Sequence, residues 1–421
     1  MTTPLSNVLV TATPNTPGFP TLSGYTDSNG NVLLPMNYAT TYKLTFSGPA
    51  IGTIPSFQPG NAIIRFPRLT ANKSFSISNV FLAKGKSIYA LGGNQFNIKA
   101  KPPPGYTFIS WIPAAPVSNK SKGSTVLTMP ESDLTLSMKL SFLPPHLSAV
   151  DGYSYGYLAI NDSYNPATNT WTAKADDLGT REALAAGVIA SKLYAVDGYN
   201  GYYLKTNNSY NPATNTWTAK ANDLTARYDL AAGVIASKLY AVDGGSAKAF
   251  ATNNSYNPAT NTWTAKASNL TTNGASAAGV IASRLYVVDG FVSPNIVKIN
   301  NSYNPVTNTW TAKASDLTAR YGLAAGVIAS RLYAVDGVNS TKYFATNNSY
   351  NPATNTWTAK ASDLTAREAL AAGVIASKLY AVDGYYGGYL ATNNSYNPAT
   401  NTWTAKANDL TARDGLAAGV A

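Results

Sequence analysis

Apolar and polar positions follow one order, over and over, from residue 147 to the end of the chain. In residues 184–224 a small apolar run, Ala185-Ala186-Gly187-Val188-Ile189-Ala190, is broken by Ser191-Lys192. Leu193-Tyr194-Ala195-Val196 follows and ends at Asp197-Gly198. A short variable piece precedes a run from Leu204 to Tyr210, a turn at 211–215, and Trp217-Thr218-Ala219-Lys220-Ala221. These are four runs of strand length, punctuated by Gly, Pro, Asn and Ser, and none carries a helical period. The pattern predicts a four-stranded antiparallel meander, with strands a, b, c and d. In the c–d turn Pro212 presets the first corner and Asn215 tolerates a left-handed backbone. Trp217, Ala219 and Ala221 share one face of strand d, which is expected to pack on the next blade. Lys220, repeated at 174, 266, 313, 360 and 406, guards the outer edge.

The unit recurs. Ser-Tyr-Asn-Pro-Ala-Thr-Asn-Thr-Trp begins at Ser163, Ser209, Ser255, Ser302, Ser349 and Ser395, with Val306 as the single change. A period of 46 or 47 residues between tryptophans signals an array or a propeller. The first copy starts at strand b (Leu147 to Gly152), and the last stops after strand a (Leu416 to Ala421). Each strand type therefore occurs six times. The C-terminal strand is expected to complete the first blade and close a six-bladed β-propeller over residues 147–421. An open solenoid would call for distinct polar caps at its ends.

The repeat resembles the kelch repeat. The likeness rests on Arg227 before strand a, the Leu239–Gly244 run, Tyr256-Asn257-Pro258, and Trp263 after a short turn. The usual Gly-Gly after strand b is here Asp-Gly, with Asp151, Asp197, Asp243, Asp289, Asp336 and Asp383 in the first place.

The N-terminal part reads as all-β too. Short strands are expected at Val8–Val10, Val32–Leu34, Tyr42–Phe46, Ala62–Phe66 and Phe75–Ile77, with a turn at Asp27–Asn31, giving a β-sandwich or Ig-like domain over residues 1–91. Residues 92–142 contain Phe96–Ala100, Pro104–Trp111 and Thr128–Leu136 and resemble the divergent repeat of internalin-type bacterial surface proteins. That likeness implies a spacer or adhesive module. The alternation in Leu134–Phe142 predicts a strand by itself. Residues 143–146 form a stiff linker whose His146 has no catalytic partner in view.

Alternating strand direction sends the b–c and d–a loops to one face of a propeller. The a–b and c–d turns barely change between copies, whereas the b–c loop differs in all six, as a binding surface on a repeated frame does. Tyr153, Tyr155, Tyr199, Tyr202, Phe291, Tyr385 and Tyr386 belong to these loops, and Tyr228 and Tyr321 join them from d–a loops. Tyrosine offers a flat apolar face and a hydroxyl, suited to sugar rings or to protein. Tyr157, Tyr203, Tyr343 and Tyr389 stand at the loop edges, about half of them expected to pack on strand c. The same face is expected to carry Arg181, Arg227, Arg320, Arg367 and Arg413, with Asn273 at the sixth position. Beside the six Asp these form an anion clamp, a cation site, or ion pairs that hold the d–a loops. The last is favoured because buried charges are usually paired. Asp289 is expected to be the carboxylate without an arginine.

Composition narrows the functional classes. The chain has 421 residues, no Cys and one His, which removes thiolate chemistry and Cys-based metal sites. The copper oxidases built on kelch-like folds need a Cys–Tyr crosslink and His ligands, so they are excluded. No cofactor or metal is expected. A sialidase-like glycosidase would draw on Arg, Asp and Tyr, but here these are repeated framework rather than one asymmetric centre. No stretch is long and apolar enough to span a bilayer, and residues 1–7 lack the pattern of a signal peptide. Residues 1–146 hold 11 Lys and Arg against 3 Asp and Glu, a net +8, out of +11 for the chain. That asymmetry suits an acidic partner. The sequence thus predicts a non-catalytic binding protein. Its basic N-terminal domains would attach it to virion or cell-surface proteins, and its propeller face would recognise a host glycan or surface protein. The expected setting is a bacteriophage decoration, tail or fibre protein, with a secreted bacterial adhesin as the alternative. Nucleic acid is not an expected partner, and a homo-oligomer is compatible with the sequence.

Overall fold

A computed structural model describes residues 8–27, 32–34, 41–47, 50–57, 68–71, 75–77, 80–82, 87–90, 95–100, 106–112, 117–130, 134–142 and 145–421. The chain divides into two compact units, Met1–Leu143 and Pro144–Ala421. The expected strand Ala62–Phe66, most of the turn Asp27–Asn31 and the linker residues 143–144 lie outside the described residues.

The second unit is the six-bladed propeller. Blade 1 consists of strand a Ala417–Val420, b Leu147–Tyr153, c Tyr157–Asn165 and d Thr170–Ala173. Blade 2 is Ala185–Ile189, Lys192–Tyr199, Tyr203–Asn211 and Thr216–Ala219, and blades 3 to 6 span 231–266, 277–312, 324–360 and 371–405. The ring closes as the sequence predicts. Leu147 pairs with Val420, Ser148 with Gly419, Ala149 with Ala418 and Val150 with Ala417, all antiparallel. Next to them the His146 N–H donates to the Ala421 carbonyl, and the Ala421 N–H to the His146 carbonyl, each at 3.1 Å.

Local chemistry explains each turn. Strands a and b meet in a two-residue loop, Ala190-Ser191, with φ of 48° and 58°. Two positive φ values make the turn whose twist matches its flanking strands. At the end of strand b, Asp197 (φ 61°) and Gly198 (φ 108°) form a bulge. A Cβ on Gly198 would lie 2.7 Å from the Glu182 carbonyl oxygen, so only glycine fits. In the c–d turn Asn215 takes φ 52°, as its type allows.

Neighbouring blades touch through repeated contacts. Gly187, at the centre of strand a, receives Leu239 and Val234 of the next blade. The tryptophan reaches the other way from the expected one. The Trp217 Nε1–H donates to the Ala175 carbonyl of the preceding blade at 2.8 Å. Asn215 Oδ1 accepts from the Ala175 N–H (2.9 Å) and from the Tyr210 hydroxyl (2.8 Å). Strand d is short and outermost, so the indole extends back across the blade gap. Trp171 and Asn169 make the same brace to Ala407, across the junction of the two chain ends.

The first unit is all-β among its described residues. It has an eight-stranded mixed sheet and a four-stranded sheet. Strands Leu9–Pro14, Tyr42–Ser47, Phe75–Ile77, Gln95–Ala100 and Leu134–Phe142 correspond to expected ones. Residues 32–34 are not a strand, although Val32 and Leu34 pack against Val8, Val10, Tyr42 and Leu44. A second core joins Phe96, Ile98, Trp111, Leu127, Leu136 and Met138. The boundary expected at residue 91 is crossed by strand pairs, because Phe75 pairs with Ala100 and Leu69 runs parallel to Leu134. The sheets of the first unit therefore take strands from both sides of residue 91.

Removing residues 417–421 should leave strand b of blade 1 with an open edge. We expect a lower unfolding temperature and concentration-dependent association by size-exclusion chromatography. Unchanged unfolding would mean that the last strand contributes nothing to closure.

Candidate functional site

The arginines expected on the loop face are not on it. Arg181 is 1% exposed and Arg227, Arg320, Arg367 and Arg413 are 0% exposed. Arg227 shows the arrangement. Its Nε donates to Asp197 Oδ2 of the preceding blade (3.0 Å) and its Nη2 to Asp223 Oδ2 (2.7 Å). Its Nη1 and Nη2 reach the carbonyls of Asp243 (3.0 Å) and Ala241 (3.1 Å) in the following blade. Ion pairing that holds the d–a loops is thus the arrangement found, and the arginines are enclosed by it rather than exposed on the face. The second carboxylates, Asp177, Asp223, Asp316, Asp363 and Asp409, were not anticipated. They sit four residues before each arginine, a spacing visible in every complete copy but one. With two carboxylates per guanidinium, and a third, Asp162, at Arg413, negative charge is in surplus. Burial pushes Asp197 far above the usual carboxylate range, and repulsion from Asp223 adds to this while Arg227 opposes it.

The carboxylate lacking an arginine is Asp243 rather than Asp289. Each arginine reaches back one blade, so Arg320 serves Asp289 at 3.2 Å, and the partner missing at Asn273 would have served Asp243. Asn269 Nδ2 donates to Asp243 Oδ2 (2.8 Å) instead, and Asn273 Nδ2 to the Asp289 carbonyl (2.6 Å). The arginine and the carboxylate four residues before it are replaced together in this copy, while Asp243 stays. The apolar Leu184, Leu230, Leu323, Leu370 and Leu416 also give way to Ser276 there. Burial pushes Asp243 far up, opposed by the Asn269 hydrogen bond and by Arg227.

The aromatic residues do reach the face, and they touch one another. Tyr228, Tyr203, Tyr199, Tyr157, Tyr153, Tyr389, Tyr385 and Tyr343 form a continuous arc with successive ring centroids 5.3–6.4 Å apart. Tyr155 packs on Tyr389 at 5.0 Å and Tyr386 on Tyr343 at 5.1 Å. Phe291 and Tyr321 form a separate pair at 5.7 Å. Tyr155 is 91% exposed, Tyr202 80% and Tyr386 57%. The edge residues Tyr157, Tyr203, Tyr343 and Tyr389 stack within the arc. The arc covers blades 5, 6, 1 and 2 and leaves out blades 3 and 4.

Inside the arc lies a feature the sequence reading did not identify. Ala183, Asp229, Ala275, Gly322, Ala369 and Gly415 have φ between 51° and 63°. Each donates its N–H to the carbonyl of its counterpart one blade earlier, Ala183 to Gly415 included, at 2.6–2.9 Å. Six hydrogen bonds thus form a closed annulus. Four carboxylates belong to it or to the residues just before it: Glu182, Asp229, Glu368 and Asp414. The two glutamates lean over Gly322 and Gly415: a Cβ on Gly322 would lie 3.2 Å from the Glu368 Cβ and one on Gly415 3.3 Å from the Glu182 Cβ. Burial, then repulsion from Asp414 and Asp229, pushes Glu182 and Glu368 up to about 7. Burial raises Asp229 and Asp414 to about 6. The available signal was the residue pair after each arginine, which varies between otherwise identical copies. Among the described residues no group of His, Cys, Asp and Glu is arranged to hold a metal ion, and no helix is long and apolar enough to cross a membrane.

Two comparisons bear on these units. Residues 79–140 match the family of the divergent InlB B-repeat domain, which places the start of the surface-repeat module ahead of residue 92. The solved structure of YjhT is similar to this chain at 14% identity and a TM-score of 0.53, over 62% of this chain and 98% of that one. At that identity the likeness is one of fold. No curated protein matches the chain significantly.

Replacing Arg227 by Asn should cost about 3–5 kcal/mol, because two buried carboxylates lose their cation. The double change Asp223→Asn with Arg227→Asn copies the natural Asn269/Asn273 pair and should cost less than the single one in urea unfolding. The glutamates predict a pH dependence. Their folded-state pKa of about 7 lies above the ordinary 4.5, so the folded protein binds more protons between these values. Stability should fall as pH rises through that window. Glu182→Gln with Glu368→Gln should flatten the slope in thermal unfolding followed against pH.

Proposed function

We propose that this protein is a non-catalytic, surface-displayed binding protein whose propeller recognises a glycan through its tyrosine arc. The observation that carries the reading is the continuous, half-buried arc, flanked by the exposed Tyr155, Tyr202 and Tyr386, on the one face where the blades differ. Flat rings with hydroxyls at their edges suit stacking on sugar rings together with hydrogen bonding to their hydroxyl groups. The first unit supports an outward-facing setting, since its surface-repeat module is of a kind matched in the divergent InlB B-repeat family. The excess positive charge of residues 1–146 suits attachment to an acidic body. Such a body is a virion bearing the chain as a decoration, tail or fibre protein, or the envelope of a cell bearing it as an adhesin. Immunogold labelling of purified particles against whole cells separates the two.

The burial of the arginines weighs against a sialidase-like enzyme. An anionic sugar needs exposed guanidinium groups, and all five are enclosed between carboxylates. The reading is tested on a glycan array with the whole chain. Tyr155→Ser, Tyr202→Ser and Tyr386→Ser combined should lower binding at least about tenfold, roughly what the loss of one or two base–aromatic stacking contacts costs, without moving the unfolding temperature. Undiminished binding would remove the aromatic face from the argument.

A further inference from the structure

Two independent asymmetries fall on the same half of a nearly six-fold ring. The tyrosine arc runs over blades 5, 6, 1 and 2. The four carboxylates sit in the loops joining blades 5–6, 6–1, 1–2 and 2–3. In the loops joining blades 3–4 and 4–5 the same positions hold Gly274-Ala275 and Tyr321-Gly322. The frame does not require this coincidence, since it tolerates Ala, Gly and Asp alike at the annulus.

The carboxylates are also built into their place. Glycine occupies the annulus at just the two positions over which a glutamate of the following loop leans, Gly322 under Glu368 and Gly415 under Glu182. The groups around them are tyrosine hydroxyls. Burial raises the pKa of Tyr157, Tyr228, Tyr321, Tyr343 and Tyr389, and the field of the nearby carboxylates adds to it in each case. The cations in the b–c loops of this face are Lys248 and Lys342, and Lys342 Nζ lies 5.0 Å over the ring of Phe344 rather than on a carboxylate. Among the described residues no ion pair joins any of the four carboxylates to a Lys or Arg. Concentrated negative charge, walled by aromatic faces and lacking its own counter-charge, selects for a cation.

We propose that the face binds a glycan carrying free, protonated amino groups, with the sugar rings on the tyrosine arc and the ammonium groups over Glu182, Asp229, Glu368 and Asp414. This rests on the glycan reading above and names the ligand class. A basic peptide would satisfy the carboxylates, but its lysine stems offer no ring faces to a run of eight tyrosines in tilted and edge-on contact. A neutral glycan would use the rings and leave the carboxylates repelling one another.

The test is calorimetric titration of the whole chain with an oligomer of glucosamine, its fully N-acetylated counterpart, and oligolysine of equal charge. At about pH 7 and low salt the amine-bearing oligomer should bind at least about tenfold more tightly than the acetylated one. Glu182→Gln with Glu368→Gln should erase that preference while leaving the weaker acetylated binding intact. This variant removes repulsion, so its folding is expected to be preserved and is checked by its unfolding temperature. Ionic strength provides a second readout. Added salt screens the carboxylates from the ammonium groups, so the preference for the amine-bearing oligomer should shrink as salt rises. Equal binding of the two sugars would overturn the cationic ligand and leave the glycan reading standing. Tighter binding of oligolysine would overturn the amino glycan in favour of a protein ligand. Binding of neither sugar would overturn both.

Discussion

The inner strands of the propeller converge because each carries glycine at its centre. A Cβ there would meet the Leu Cδ1 of the following blade at 2.3–2.5 Å and the Val Cγ2 at 2.7–3.1 Å, in all six blades. Removing the side chain brings the neighbouring sheet close enough to seat Leu and Val on bare backbone. The core is then a cycle of identical contacts, with Gly373 receiving Leu147 and Gly419 receiving Leu193 across the chain ends. The other repeated contacts act at different radii of the same wedge. The tryptophan brace ties the outer rim, the arginine triad fills the top, and the annulus joins the loops around the axis.

The charged layer shows how such a frame accommodates change. Four junctions hold a guanidinium between two carboxylates, the junction at Arg413 adds a third in Asp162, and the sixth holds Asp243 with two asparagines and a serine. The sixth keeps the backbone bonds of the others, with the Gly244 N–H donating to the Asn273 carbonyl at 2.9 Å as Gly198 does to Arg227. The guanidinium and one of its carboxylates have left this site together, and the carboxylate that stays, Asp243, is held by the Asn269 amide instead of a cation. The chain contains both versions of the junction.

Much of this was legible in the sequence, because repetition amplifies weak signals. Six copies of the Trp-ending segment fixed the period, and the unequal ends gave the closure by Ala417–Val420. Physical geometry limited the rest. The direction in which Trp217 and Arg227 reach depends on the tilt of each blade relative to its neighbours, and no one-dimensional pattern encodes that. For that reason the uncompensated carboxylate was placed at Asp289 instead of Asp243. The tyrosines were found because their loops vary. The annular carboxylates escaped because they lie beside a conserved-looking arginine, in loops whose convergence on one axis appears only in three dimensions. In the first unit the alternation of Leu134–Phe142 was clear, but its parallel partner at Leu69 lies far away in sequence.

The closing strand has a consequence for how the molecule comes into being. Its sequence, Ala417-Ala418-Gly419-Val420, is the same as the inner strand of blades 2 to 6. Nothing in those four residues tells blade 1 from any other blade; only their place in the chain does. During synthesis the first blade stays unfinished until residues 417–420 emerge, while five interchangeable strands are made in between. Correct assembly is therefore a matter of order in time, and the same interchangeability lets the tail of one copy serve the waiting blade of another.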